Sequence, residues 1–457
     1  MIIPHPFIHY HLIMENTLTV KRGLDLSIEG SANWSAPQDC PASLVAVTPD
    51  DFPGFMPKLE VKEGDSVSAG SPLMHDKNNE DIKLTSPVSG TVTAIIRGER
   101  RKIERVEVTP KGNGSKTFDI DLARPESIIS ALKDSGLWAE MRQRPYDIVP
   151  TPDRSPRDIF VTAFDSSPLA PDLNEQVRGK QKQIDAGIKA LSALTTGKIY
   201  VSTRPDASFQ VPAEAVHYTV TGPHPAGNAG VQAANIAPIN KGETIWTLSI
   251  LTVASLGELI LTGKRDYSAI VAVTGPEVGR PYYAATVQGA AIKPLLEGHI
   301  AEDDRHHRII SGNILTGVKI SMDGFLRFPY RQVTVIAEGD DVDEFMGWAS
   351  VSPSKMSVSR SFPFRMFHKK FSPDARILGG RRAMIMSGEY DKVLPMDIMP
   401  EYLLKAIGAR DIDMMEKLGI YEVAPEDFAL CEYVDPSKIE IQKTVREGLD
   451  WLRKEIE

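Results

Sequence analysis

The sequence predicts a multidomain α/β protein. At 457 residues, the chain is too long for a single hydrophobic core, and about three or four domains are expected. The hydrophobic pattern also changes along the chain. Short alternating runs come first, followed by strands that alternate with helices, then a second β-rich stretch and finally helices. These changes divide the chain at 15–111, 112–262, 263–338 and 339–457.

Residues 1–14 fit none of these patterns. They are apolar and include three histidines, but they lack the basic start and the small-residue cleavage site of a secretory signal. Patterned sequence opens directly after Met14. We therefore interpret 1–14 as a leader and Met14 as the natural start.

Residues 15–111 predict a β barrel-sandwich domain. The segments 61–73 and 85–92 each combine an apolar strand with a glycine turn, and together they resemble the biotinyl/lipoyl fold. Carriers of that family have a modified lysine where this chain has Asn79, and Lys77 lies two residues too early. We expect a carrier-like fold without a carried group. The alternative is a carrier module with lipoylated or biotinylated Lys77.

Residues 112–157 form a connector in which a helix is predicted over 125–133. Trp138, Arg142 and Arg144 follow this helix. Aromatic and arginine side chains at a domain joint could line a pocket for a flat aromatic head group. The same residue types are typical of a packed domain interface, so both interpretations stay open.

From residue 158 the pattern indicates a doubly wound α/β layer. Strands are predicted at 159–164, 199–202 and 216–220, and helices at 175–196 and 245–261. Strands that alternate with helices imply a parallel sheet. The last helix is also the most apolar window of the chain, but it is shorter than the roughly 20 residues of a membrane span.

The loop 221–230, which follows the third of these strands, is the candidate binding loop. Two prolines flank His224, and the glycines include Gly222 and Gly227. Such a loop presents one imidazole at the carboxyl end of a strand, where open α/β sheets bind ligands. It matches neither the G-x-G-x-x-G nor the P-loop pattern. A rigid connection without a ligand is the competing interpretation.

The rest of the chain is first β-rich and then helical. Region 263–338 contains predicted strands at 269–274 and 332–336. In region 339–457, helices are predicted at 400–406, 411–418 and 439–456, and the last of these has one apolar stripe.

Composition excludes several function classes. The formal net charge is −9, whereas a nucleic-acid partner requires clustered basic residues. Cys40 and Cys431 are the two cysteines, too few for an iron–sulfur or cysteine-rich metal site. No G-x-S-x-G nucleophile motif occurs. We expect no metal, no covalent cofactor and no catalytic residue in this chain.

Several short motifs, in their order and spacing, resemble one family over the chain from about residue 15 to its end. They are Lys21-Arg-Gly-Leu-Asp-Leu26, the barrel-sandwich motif, Asp134-Ser-Gly-Leu-Trp138, Arg142-x-Arg144-Pro145, Gly222-Pro-His-Pro-Ala-Gly227, Ile309-Ile-Ser-Gly312, Tyr390-Asp-Lys-Val-Leu-Pro-Met-Asp397 and Ala429-Leu-Cys431. The family that they resemble is NqrA, which belongs to the bacterial sodium-translocating NADH:quinone oxidoreductase. Related folds are the flavin-bearing subunit of respiratory complex I and the Rnf-complex C subunit.

The resemblance implies a peripheral subunit of a six-subunit complex on the cytoplasmic side of the bacterial inner membrane. That complex passes electrons from NADH to a quinone and pumps sodium, and its NqrA component is associated with quinone binding. The other subunits, especially the membrane-embedded quinone-reducing side, are the implied partners. A β-grasp (SLBB-like) domain is implied for 263–338.

The chain departs from its cofactor-binding relatives. One thiol at Cys431 stands where those relatives have cysteine clusters, and 163–172 contains no glycine for a flavin phosphate. We therefore expect NAD, FMN or FAD and the iron–sulfur centres on other subunits, with quinone as the ligand here. The candidate quinone-binding residues are Trp138, Arg142, Arg144, Gly222, His224 and Gly227. The alternative is an Rnf-type protein that binds NADH and flavin directly.

Overall fold

The computed structural model describes residues 16–300, 305–340 and 369–456. The proposed leader 1–14, with Met14, lies outside this part of the chain. Within it, the predicted fold class is confirmed: a barrel-sandwich domain, an α/β layer, a second β domain and a helical region follow one another. Two short strands, β1 (Asn16–Thr19) and β2 (Gln38–Asp39), precede them and pair with strands of later domains.

The barrel-sandwich domain has two small antiparallel sheets. Its strands are β3 (Val45–Val47), β4 (Pro57–Leu59), β5 (Ser66–Val67), β6 (Pro72–Asp76), β7 (Lys83–Thr85), β8 (Gly90–Arg97) and β9 (Ile103–Pro110). The sheet orders are β3-β9-β8-β5 and β4-β6-β7. Lys77 is exposed in the turn after β6. Asp76 holds this turn, because its Oδ1 accepts from the backbone N–H groups of Met56 and Asn78.

The α/β domain follows helix α1 (Pro125–Ser135), which confirms the connector helix. Its further elements are β10 (Arg142–Arg144), β11 (Asp158–Thr162), α2 (Leu173–Gln176), α3 (Gln181–Ser192), β12 (Ile199–Thr203), β13 (Val216–Thr221), α4 (Ala229–Ile236), β14 (Ile245–Ser249) and α5 (Ile250–Thr262). The six-stranded sheet has the order β1-β13-β12-β11-β14-β10. Strand β10 is antiparallel and the other pairs are parallel.

Helices cover both faces of this sheet, as a doubly wound layer requires. Alternate residues of β11 point to opposite faces. Ile159 and Val161 lie in the core that includes α3 and α5. Phe160 lies in a separate cluster with Ala233 of α4, and its ring stacks on that of Tyr200 at a centroid distance of 4.9 Å.

The prediction of one helix over 245–261 is wrong for its first five residues, which form β14. Ser249 is the boundary, because its Oγ accepts from the N–H groups of Leu251 and Thr252 and caps α5. Strand β14 lies inside the sheet and its first four residues, Thr247 included, are all buried, so it lacks the alternation of a half-buried strand. Hydrophobic periodicity therefore could not distinguish residues 245–249 from the beginning of the helix.

The predicted helix over 175–196 is also two helices, α2 and α3. The break contains Gly179 at φ +81°, a conformation that interrupts a right-handed helix and favours glycine. Asp172 caps α2 by accepting from the N–H of Glu175 at 3.1 Å.

The second β domain has a mixed sheet and confirms the predicted β-grasp type. Its elements are β15 (Ser268–Thr274), β16 (Tyr282–Val287), α6 (Lys293–Leu296), β17 (His307–Ser311), β18 (Val318–Ile320) and β19 (Gln332–Ala337). The sheet order is β18-β17-β19-β15-β16-β2. The first two strands of the described residues therefore complete other domains: β2 pairs with β16, and β1 pairs with β13.

The described carboxyl-terminal part is helical from residue 390. Its helices are α7 (Tyr390–Val393), α8 (Pro400–Ala409), α9 (Ile412–Lys417), α10 (Ala429–Val434) and α11 (Ile441–Ile456). The apolar stripe of α11 is buried through Leu452, whereas Ile456 is exposed. Cys431 is fully buried in the same core as Val220 and Val231 of the α/β domain. This core joins the two domains.

Replacing Gly257 with alanine should destabilise the protein by about 1–3 kcal/mol, because overpacking forces backbone shifts. A Cβ at Gly257 of α5 would meet the carbonyl oxygen of Gln183 in α3 at 1.7 Å. Gly408 of α8 is the matched control, since nothing lies within 4 Å of its Cβ position. Gly408→Ala should stabilise the chain slightly through helix propensity. Denaturant unfolding measures both, and an equal effect would contradict the packing argument.

Candidate functional site

A cavity of about 260 Å³ lies at the carboxyl ends of β11 and β14. The strand order reverses here, since β12 and β13 lie on one side of β11 and β14 on the other. Open α/β sheets bind ligands at such a switch point. The loop before β19 and Glu426 of the helical region also line the cavity, so three domains form its walls.

The candidate loop presents His224 to this cavity from the end of β13. Its backbone is fixed on both sides: the N–H donates to Asp25 Oδ1 at 2.8 Å, and the carbonyl accepts from Leu24 N at 2.9 Å. Gly222 permits this approach, because it has φ +119° and its Cβ position lies 2.1 Å from the Val20 carbonyl oxygen.

The hydroxyl of Ser166 bears on which nitrogen of the His224 ring carries the proton. The hydroxyl oxygen of Ser166 accepts from Gly227 N at 2.8 Å and lies 3.1 Å from His224 Nδ1. With one lone pair occupied, this hydroxyl is well placed to donate to Nδ1. A Ser166 hydroxyl that donates to Nδ1 leaves the ring proton on Nε2, which is the tautomer we assign here. Nε2 is buried and has no hydrogen-bond partner among the described residues.

Burial keeps the His224 imidazole neutral. It lowers the pKa of His224 below its usual value, although the carboxylates of Asp165 and Asp25 oppose this change. A neutral ring with the proton on Nε2 offers one hydrogen-bond donor to a ligand. The hydroxyl of Ser167 lies in the same wall and is likewise buried without a partner.

Arg142 lines the cavity but is occupied by backbone carbonyls. Its Nη1 donates to Ala139 O at 2.9 Å and Met141 O at 3.1 Å, and Nη2 donates to Asp51 O at 2.8 Å. The guanidinium carbon also lies 5.5 Å from the ring centroid of Phe328. These contacts fix Arg142 between the barrel-sandwich and α/β domains.

Two carboxyl groups of the cavity wall each have an arginine partner. Glu140 forms a buried ion pair with Arg265. Desolvation and the adjacent carboxylate of Asp427 raise the pKa of Glu426, whereas Arg144, whose Nη2 donates to Glu426 Oε1 at 3.3 Å, opposes this change. Arg144 Nη1 also donates to Asp427 Oδ2 at 2.6 Å.

The structure thus brings Arg142, His224 and Gly227 to one cavity and places the other three candidates elsewhere. Trp138 is 1% exposed, packs against Trp246, and donates from Nε1 to Pro150 O at 2.8 Å. Arg144 is buried in its ion pair, and Gly222 contacts Val20. Neither Trp138 nor Arg144 is among the lining residues.

The polar lining residues that the sequence analysis missed include Ser167, Arg331 and Glu426. Ser167 had a usable signal, since polar residues that follow the first strand of an α/β layer lie at the ligand-binding edge. Arg331 and Glu426 had none, because they come from other domains.

Other site types find no support within the described ranges. No group of three His, Cys, Asp or Glu side chains in these residues could hold a metal ion. Cys40 and Cys431 are both free thiols, and burial raises the pKa of Cys431. No helix between residues 16 and 456, outside the two undescribed stretches, is long and apolar enough to span a bilayer.

Comparison with known families accounts for most of the chain. The NqrA N-terminal barrel-sandwich hybrid domain matches residues 18–111, the NqrA second alpha/beta domain matches 123–265, and the NQRA C-terminal domain matches 270–322. A solved NAD+-reducing [NiFe]-hydrogenase in the H2-reduced state is similar at 12% identity and a TM-score of 0.39, covering 72% of this chain and 61% of that one. That likeness is too low to carry an argument.

Curated relatives match over nearly the full length. The A subunit of the Na(+)-translocating NADH-quinone reductase from Pasteurella multocida is 36% identical over 448 residues, covering 96% of this chain and 100% of that protein. The protein of the same name from Vibrio anguillarum is 36% identical over 449 residues with the same coverage. The chain therefore belongs to the NqrA family, the A subunits of Na(+)-translocating NADH-quinone reductases.

Proposed function

We propose that this chain is a peripheral subunit of a sodium-pumping NADH:quinone reductase and that it binds the quinone head group in the three-domain cavity. The full-length family match supports the role in the complex. The position of the cavity at the switch point of the sheet supports ligand binding by this chain.

The observation that carries the quinone assignment is the unpartnered Nε2 of His224. A buried donor without an acceptor is costly, and a ligand acceptor would remove that cost. A quinone carbonyl is such an acceptor, and Ser167 Oγ offers a second hydrogen bond on the same wall. The assigned ring tautomer makes Nε2 the donor in this contact.

The other walls suit a flat apolar ring. Phe164, Leu173, Leu248, Leu251 and Phe328 all line the cavity. Its volume of about 260 Å³ is just below the range of about 300–1,000 Å³ that is typical of drug-sized ligands. The cavity therefore fits a head group, and an isoprenoid tail would extend beyond it.

The chain carries no redox centre of its own in this proposal. The segment between β11 and α2 contains Ser166, Ser167 and two prolines but no glycine to approach a flavin phosphate. A single buried thiol at Cys431 cannot hold an iron–sulfur cluster. NAD, flavin and iron–sulfur chemistry would then belong to partner subunits. Flavin absorbance in the purified chain would contradict this and favour the Rnf-type alternative.

The proposed location is the cytoplasmic face of the inner membrane, against partner subunits. With a formal net charge of −9, the chain would be repelled by an anionic lipid surface. Docking on membrane-embedded protein is therefore the expected mode of attachment.

Replacing His224 with alanine should weaken binding of a soluble short-chain quinone roughly tenfold, the value of one buried hydrogen bond. Isothermal titration of the purified chain measures the dissociation constant. His299→Ala is the control, because His299 stacks on Tyr282, away from the cavity. Unchanged affinity in both His224→Ala and Ser167→Ala would refute the head-group site.

A further inference from the structure

Arg331 is the exception among the arginines around the cavity. Its one hydrogen bond runs from Nη1 to the carbonyl oxygen of Tyr330 at 3.4 Å, and it has no carboxylate within ion-pair distance among the described residues. Each neighbouring guanidinium has close partners: Arg142 has three carbonyls, Arg265 has Glu140, and Arg327 has Asp51 at 2.6 Å. Most of the Arg331 donors are therefore available to a ligand.

An arginine with so few partners is unusual at the position that Arg331 occupies in the cavity wall. It immediately precedes β19 and forms part of the wall that the second β domain contributes, whereas His224 belongs to the α/β wall. Burial lowers the pKa of Arg331 below its usual value, yet a guanidinium stays charged at any physiological pH. The Arg331 side chain is partly buried and has no direct ion pair among the described residues, so an anion placed beside it would gain a charge-assisted hydrogen bond.

The carboxyl groups of the cavity do not supply that anion. Glu140 is engaged by Arg265 and by the hydroxyl of Thr252. Glu426 belongs to the group around Arg144 and Asp427. Asp165 is exposed, and its Oδ1 accepts from Ser167 N at 2.8 Å. Glu140 and Asp266 support the Arg331 charge through space, but neither carboxylate forms a direct ion pair with it among the described residues.

We propose that the cavity has a second subsite, at Arg331, for an acidic substituent on the bound ring. The ligand class is a flat ring with a carbonyl and one anionic group, such as a carboxylate, a sulfonate or an ionised hydroxyl. The carbonyl lies at His224 and the anionic group at Arg331. This inference rests on the proposed binding of a quinone ring. An Arg–anion contact is charge-assisted and can be bidentate, so the subsite sets ring orientation and specificity.

Two matched probes test the subsite on the full-length chain: 1,4-naphthoquinone-2-sulfonate, which is anionic, and 2-methyl-1,4-naphthoquinone, which is neutral. We expect the anionic probe to bind about tenfold to a hundredfold more tightly, the range of a hydrogen bond to a charged group. Arg331→Gln should abolish this preference and leave the affinity for the neutral probe unchanged. Arg331→Lys should restore part of it. Arg280→Gln, the same change at an exposed residue of the same domain, should have no effect.

The possible failures are distinct. Equal binding of both probes to the unmodified chain overturns the subsite and leaves quinone binding intact. Binding of neither probe overturns the proposed function together with the subsite. An equal loss of both probes in Arg331→Gln indicates a structural role and also overturns the inference. Sodium sulfate tests whether a free anion binds at Arg331, with sodium chloride at equal ionic strength as the reference. If sulfate binds as tightly as the anionic probe, the requirement for a ring is overturned.

Discussion

Replacing Arg144 with methionine should destabilise the protein by about 3–5 kcal/mol, the usual cost of removing one partner from a buried ion pair. The side chains of Arg144 and Asp427 are 1% and 0% exposed. The variant leaves the Asp427 carboxylate without its cation and the Glu422 carbonyl without a donor at 2.7 Å. Because this pair connects β10 to the helical region, we expect the contact between these domains to loosen first. Urea unfolding and limited proteolysis measure the two effects.

The control for Arg144→Met is the same change in a solvent-exposed ion pair. The side chains of Lys58 and Glu80 are 55% and 70% exposed, and such pairs contribute about 0–1 kcal/mol. Lys58→Met should therefore change the unfolding midpoint little. If Arg144→Met were as mild as Lys58→Met, Arg144 would not stabilise the domain joint, and a ligand role for its guanidinium would regain support.

Replacing Trp138 with alanine should also cost about 3–5 kcal/mol, the range for deleting a large buried aromatic side chain. The ring packs edge-to-face on Trp246 at a centroid distance of 5.1 Å and lies in the core that joins the barrel-sandwich and α/β domains. Thermal and denaturant unfolding measure the loss.

Trp138→Phe separates packing from ligand binding. It keeps an aromatic ring in the core and removes the hydrogen bond to Pro150 O, so a smaller loss of about 1–2 kcal/mol is expected. Its affinity for a short-chain quinone should match that of the unmodified chain, because Trp138 does not line the cavity. A large loss of affinity in this folded variant would place the head group at the domain joint instead.

Local sequence patterns were sufficient to predict the order of fold types along the chain and the His224 loop in one wall of the cavity. Prolines and glycines around His224 predicted a fixed loop at the end of a strand, and the structure places the imidazole there. The barrel-sandwich strands were predicted because half-buried antiparallel strands alternate. The failure at 245–249 has the same physical origin, since a strand buried on both faces loses that alternation.

The remaining parts of the site depend on contacts between distant segments. Arg144 has the residue type of a ligand-binding group, but its partner Asp427 is 283 positions away. Arg331 and Glu426 reach the cavity only through the packing of three domains. Neither hydrophobic periodicity nor a short motif in a single sequence predicts contacts between residues that are so far apart in the chain.

The pairing of β1 with β13 has a consequence for how the chain folds during synthesis. Asn16 donates from its side chain to the carbonyl oxygen of His217, 201 positions later. At about 5–20 residues per second, β1 would leave the ribosome some 10–40 s before its partner exists. The barrel-sandwich domain can form during that interval, but the α/β sheet cannot be completed. Until β1 docks, β13 is an open sheet edge that is prone to pair with other chains, so completion of this sheet depends on a strand made about 200 residues earlier.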